Sequence, residues 1–211
     1  MDQDYRPDNH NITPFPGHPG ANLSATEKGQ VNYGLQPGTT PLLAELAETM
    51  HATLANCEPH ALSAAAKASL RGYVCNPGLL TVEHKEGSTE DYRRHLLYAA
   101  EDRSFSILAL VWNPGHRTPV HGHSAWGAAG VYEGNPYCET YSRVENGRQT
   151  MELRHNMTMR LHPGDIATVE PGIDDAHRIG NDSNSRSITI HIYGRDLLAS
   201  PGSINIWLDN L

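Results

Sequence analysis

The chain reads as a mainly β protein carrying a small helical appendage ahead of the sheet, and three features point there. Six short β-type runs fill its second half, at residues 104–112, 127–133, 138–144, 151–161, 166–169 and 187–193. Turn residues separate them, among them Asn113-Pro114-Gly115, Gly134-Asn135-Pro136, Pro163-Gly164-Asp165 and Pro171-Gly172. Two segments with helical periodicity come before them. Many short strands at regular spacing imply an antiparallel sandwich or barrel.

Each element has a local reason. Residues 1–38 contain five prolines and five glycines and no apolar period, which predicts an irregular arm, loose or wrapped over the body. A helix is expected from Thr40-Pro41, because Thr caps well and Pro is tolerated in a first turn. Leu42, Leu43, Leu46, Met50 and Leu54 then recur at helical spacing. A second, Ala-rich helix fits 59–71, with Gly72 as its stop. Between two of the β runs, Asn146-Gly147 is a strong signal for a two-residue hairpin turn. The expected organisation is an arm (1–38), a helical appendage (39–91) and a barrel (92–211), forming one globular unit.

Composition excludes several classes. The 211 residues carry 16 basic and 24 acidic side chains, a formal charge of −8, which argues against a general nucleic-acid or anionic-membrane binder. No apolar run approaches the roughly 20 residues that span a bilayer. Met1-Asp2-Gln3-Asp4 lacks the basic-then-apolar pattern of a secretory leader, so a cytoplasmic location is expected. Three cysteines (Cys57, Cys75 and Cys138) make a poor disulfide framework, whereas histidines number 13. A metal site in such a chain is expected to use imidazole rather than thiolate.

The histidines that matter are picked out by spacing. His121 and His123 stand two apart on a strand-like stretch, so both rings point to one side and reach one metal ion. His177 lies 54 residues beyond His123, a distance that suits a neighbouring strand. In 187–193, Thr189, His191 and Tyr193 share one face and Ile188, Ile190 and Ile192 the other. A buried polar face needs internal partners, and a Thr–His–Tyr hydrogen-bonded chain would provide them. His10, His18, His51, His60, His84, His95, His116, His155 and His162 are read as solvated or structural, the last four at strand ends or turns, with His95 among them.

These residues resemble the cupin superfamily. Its first motif matches as Gly115, five residues, His121-x-His123, three residues, Gly127, six residues, Gly134, with Gly127 in the place of the usual Glu. Its second motif is matched in order by Gly164, Pro171, Gly172, His177 and Asn181, with a longer Gly-to-His interval. The resemblance covers about residues 92–199 and implies a cupin jelly-roll barrel. Without the glutamate, three neutral imidazoles hold the metal. That leaves its charge uncompensated and up to three positions open, which favours an anionic ligand such as a thiolate, with room for dioxygen.

Three-histidine cupins of this kind are similar to the thiol dioxygenases, the cysteine dioxygenase and 3-mercaptopropionate dioxygenase family. Their Ser-x-His-x-Tyr relay is matched by Thr189, His191 and Tyr193, with Thr in the place of Ser. Their carboxylate-holding Arg is sought in Tyr92-Arg93-Arg94. Strand alternation turns one of Arg93 and Arg94 inward, and the Tyr-x-Arg pattern of the cysteine branch points to Arg94. The other branch uses an Arg after the relay Tyr, where this chain has Arg195. No cysteine stands where a cross-link to Tyr193 would form. Trp126 is expected to pack against the barrel wall.

The resemblance thus implies an Fe(II) enzyme that adds both atoms of O2 to the sulfur of a small mercapto-acid or related thiol, giving a sulfinate. His121, His123 and His177 would be its ligands and Tyr193, His191 and Thr189 its relay. The ligands alone do not choose the ion. A Zn(II) or Ni(II) isomerase or hydrolase, and a non-enzymatic ligand-binding cupin, stay open. The expected partners are a small thiol and O2, with no nucleic acid and no membrane, in a monomer or homodimer.

Overall fold

A computed structural model describes residues 32–145, 151–199 and 204–208, and its first helix begins where Thr40 and Pro41 place it. The Thr40 hydroxyl accepts from the Leu43 amide at 3.1 Å and donates to the Leu79 carbonyl at 3.0 Å, capping α1 (Pro41–Leu54) and tying it to the following loop. A single 3-10 turn, Pro59–Ala61, leads into α2 (Leu62–Arg71). Among the described residues no helix is long and apolar enough to cross a membrane.

The strands are β1 (Gly34–Leu35), β2 (Arg93–Ala99), β3 (Ser106–Trp112), β4 (His121–His123), β5 (Gly127–Glu133), β6 (Tyr137–Glu145), β7 (Met151–Arg160), β8 (Ile166–Val169), β9 (Gly172–Gly180), β10 (Ser187–Tyr193) and β11 (Asn205–Trp207). They form two antiparallel sheets, ordered β1-β2-β3-β10-β5-β8 and β11-β4-β9-β6-β7. From β3 onward the chain passes repeatedly between the sheets, so that β10 lies between β3 and β5, and β9 between β4 and β6. That interleaving is a jelly-roll barrel, and the fold is mainly β with a small N-terminal helical appendage.

The apolar pattern accounts for the layers. The outer face of the six-stranded sheet is covered by α1 and α2. Leu43, Leu46, Met50 and Leu70 pack there with Ile107, Val111, Ile188, Ile190 and Ile192, all fully buried. A second cluster includes Leu96, Leu108, Leu110, Trp112, Val169, Leu197 and Ile204.

Several details depart from the sequence reading. The end of the arm is not irregular, because Gly34 and Leu35 pair with Ala99 and Tyr98 and so satisfy the backbone at the free edge of β2. The run expected from Ser104 begins as a strand only at Ser106, since Arg103 adopts a left-handed φ of 64° in the preceding turn. His95 and His155 lie within strands rather than at their ends, while the burial of His84 and His95 agrees with a structural role. The His95 ring is held by the Glu86 carbonyl at 2.8 Å. Residues 1–31 and the segment 146–150, which holds the expected Asn146-Gly147 turn, lie outside the described residues; β6 and β7 pair with Glu145 opposite Met151 and a register shift between Thr140 and Tyr141.

Candidate metal centre

β4 is three residues long and lies between β11 and β9. A Cβ on Gly122 would stand 2.2 Å from the Gly172 carbonyl oxygen, so only glycine lets the two backbones meet between the histidines. On that pair of strands His121 sits opposite His177. The ring centroids of His121, His123 and His177 are 4.7–5.0 Å apart, and one ligating atom from each lies within 4.8 Å of the others. All three side chains are buried. β11 closes the outer edge of β4, pairing Asn205 with His123 and Trp207 with His121, and the Trp207 ring lies 5.5 Å from that of His121.

The donor set fits a divalent metal ion. The Nδ1 of His121 lies 3.0 Å from the Pro119 carbonyl, and that of His177 lies 2.8 Å from the Asp175 carbonyl. A carbonyl only accepts, so each Nδ1 carries the hydrogen and each Nε2 keeps its lone pair for a ligand. The third ring, His123, has its Nδ1 buried without a hydrogen-bond partner. Burial, reinforced by the neighbouring imidazoles, pushes His121 down to about 3 and lowers His123; burial alone leads for His177. The rings are therefore neutral at physiological pH, and a metal ion need not displace protons from them.

The three histidines open onto a small cavity. Arg94, Tyr92, Trp112, His191, Tyr193 and Asn205 also line it, and no described Asp or Glu side chain does. Arg94 is buried. Arg93 instead pairs loosely with Glu86 at 3.8 Å, on the other face of β2, and Arg195 is not part of the lining. Tyr92 stacks on Trp112 at 4.6 Å, and burial pushes its phenol up to about 12.

The polar face of β10 forms one hydrogen-bonded line. Trp112 Nε1 donates to Thr189 Oγ1 at 2.9 Å, Thr189 Oγ1 pairs with His191 Nε2 at 2.7 Å, and His191 Nδ1 pairs with Tyr193 Oη at 2.9 Å. Burial, with Arg94 adding to it, pushes His191 down to about 3, so the line is uncharged. Burial also raises the Tyr193 phenol and keeps it protonated. The Tyr193 ring stacks 5.7 Å from that of His123. Gly127 lies opposite Tyr193, and a Cβ there would meet the Tyr193 ring at 2.6 Å.

No protein-family model matches the chain. Solved structures of similar shape exist at low identity. A conserved protein with a double-stranded β-helix domain from Klebsiella pneumoniae is 19% identical, over 54% of this chain and 85% of its own, with a TM-score of 0.40. A sugar phosphate isomerase of the cupin superfamily from Silicibacter pomeroyi is 18% identical, over 48% and 59%, with a TM-score of 0.36. The oxalate decarboxylase of Lactobacillus farciminis is 13% identical, over 64% and 36%, with a TM-score of 0.41.

Sequence reasoning did not single out Trp112, Asn205 or Trp207. Alternation along 106–112 held a signal for the first. Trp112 shares a face with Leu110 and Leu108, and its ring nitrogen needs a partner once buried. Nothing in the sequence pointed to the other two. β11 is only three residues long, too short to show a period.

Proposed function

We propose that the chain is a ferrous thiol dioxygenase acting on a small mercapto-acid. The observation that carries this reading is the company the three histidines keep. One cavity joins them to a buried guanidinium and to a tyrosine oriented by an uncharged relay, with no acidic side chain among the described residues of its lining. Such a pocket is positive, and it suits an anion.

A ferrous ion held by His121, His123 and His177 would supply O2 activation and an anchor for the thiolate. The remaining work falls to the chain's own residues. Arg94 holds the substrate carboxylate through two parallel N–H bonds, a geometry that lysine cannot copy. Since Arg93 points away, one guanidinium suits one carboxylate, which favours cysteine or 3-mercaptopropionate over mercaptosuccinate. Tyr193, held by His191 and Thr189, orients the reacting groups, and Leu110, Val169 and Ile179 limit the water around them. The net reaction, RS⁻ + O2 → RSO2⁻, needs no external reductant, because sulfur gives up the four electrons that O2 takes.

The test is aerobic turnover of the Fe(II)-loaded protein, following O2 uptake and the mass of the sulfinate. Uptake matched by a product 32 mass units heavier is expected with at least one monocarboxylate thiol. A lack of uptake across cysteine, 3-mercaptopropionate, mercaptosuccinate and other biological thiols would overturn the reading. Activity that is independent of O2, with Zn(II) or Ni(II) in the purified protein, would favour an isomerase or hydrolase instead.

A further inference from the structure

The line from Trp112 to Tyr193 has two possible proton orders, and they differ in what the cavity is offered. In one, Thr189 donates to His191 Nε2, His191 carries its hydrogen on Nδ1 and donates to Tyr193, and the Tyr193 hydroxyl hydrogen is free to point into the cavity. In the other, Tyr193 donates to His191, His191 donates from Nε2 to Thr189, and the cavity meets only tyrosine lone pairs.

The surroundings of Thr189 decide between them. An indole nitrogen donates and never accepts, so Trp112 fills one side of the Thr189 oxygen with a hydrogen. Besides Trp112, Thr189 Oγ1 pairs only with His191 Nε2 among the described residues. Thr189 is 2% exposed and does not line the cavity. The second order would strand its hydroxyl hydrogen in the core with no acceptor, a loss that folded proteins avoid. The first order uses every buried donor and leaves the one unused hydrogen on Tyr193, at the cavity wall, where a bound ligand can accept it.

We infer that Trp112 and Thr189 act as positioning residues that fix His191 in its Nδ1–H form and so make Tyr193 a hydrogen-bond donor into the metal cavity. The ligand group placed beside Tyr193 is then one that accepts, such as an anionic oxygen or sulfur. This order is a property of the folded chain. Thiol turnover and the tautomer can therefore fail independently.

The test is ¹⁵N NMR of the full chain labelled at histidine, metal-free and loaded with diamagnetic Zn(II). The His191 signals are assigned by their loss in His191→Gln. A protonated Nδ1 and an unprotonated Nε2 are expected at neutral pH. An Nε2–H tautomer or an imidazolium would overturn the inference. Thr189→Ser should keep the Nδ1–H form, whereas Thr189→Val should give a mixture; a fixed Nδ1–H form in Thr189→Val would show that Thr189 does not set the order. Trp112→Phe keeps the ring stacked on Tyr92 but removes the donor, and it should lower the Nδ1–H fraction. An unchanged fraction there would remove Trp112 from the proposal. The same spectra report whether each variant is folded, which separates loss of order from loss of structure.

Discussion

The two faces of β10 are equally buried and held in different ways. Ile188, Ile190 and Ile192 meet α1, α2 and the neighbouring strands through dispersion and removal of apolar surface alone. Thr189, His191 and Tyr193 are buried to nearly the same degree, but each polar atom there needs a partner, and the partners form a single line. One face anchors the strand. The other holds the Tyr193 hydroxyl at the wall of the cavity that the three histidines line. On the proposed function, stability and chemistry sit on alternate residues of one seven-residue strand, and substitutions should separate them.

The largest effect is expected at the cage itself. His123→Ala should lower metal content and O2 uptake by more than about 1,000-fold while leaving the apolar face untouched, since even groups that only support a ligand are worth about 10–100-fold. Metal analysis alongside an oxygen electrode measures both; a variant that keeps its metal would remove His123 from the cage. On the apolar face, Ile190→Ala should cost about 2–5 kcal/mol in denaturant unfolding. Metal bound per folded chain should stay the same, and a matching loss of metal would mean that the two faces are not separable. Arg94→Lys should reduce kcat/KM for a mercapto-acid about 100-fold, or about 2.7 kcal/mol, at unchanged metal content. Arg93→Lys is its control, expected within about twofold of the parent.

The smallest effect is one of pH. His191 is pushed down to about 3 when folded, against 6.5 ordinarily. Above pH 6.5 it is neutral in both states. Between 6.5 and 3 the unfolded chain takes up a proton that the folded chain refuses, so stability falls as pH falls. By about pH 5.5 this one group should remove about 1 kcal/mol. His121, His123, His177, His84 and His95 are lowered in the same direction, so His191→Gln should reduce that slope by one group's share, and an unaltered slope would contradict the neutral relay.

Much of this was legible in sequence, for physical reasons. The helix start needed only Thr40 and Pro41, and the alternation in 187–193 separated the two faces before any coordinates. His121 and His123 were paired by spacing, because strand geometry converts spacing directly into direction, while His177 was a candidate by its place after the Pro171-Gly172 turn and is brought in by pairing of β9 with β4. What escaped depended on non-local pairing. β1 and β11 are two and three residues long and exist only because β2 and β4 offer them free edges. Strand alternation alone left Arg93 and Arg94 open; the Tyr-x-Arg pattern pointed to Arg94, and the register of β2 on β3 places Arg94 in the lining. The first link of the relay joins residues 77 apart, and no local pattern announces it.

Gly127 carries a last consequence. It occupies the place where the cupin motif has its glutamate, and its missing side chain is the space in which the Tyr193 ring lies. A glutamate there would have to displace that ring, and the Ile192 carbonyl, 2.9 Å from the same Cβ position, hems it in further. The fourth acidic ligand and the relay tyrosine are thus competitors for one volume. An acidic side chain at 127 would therefore need a second change at Tyr193, since both side chains together would overpack the site.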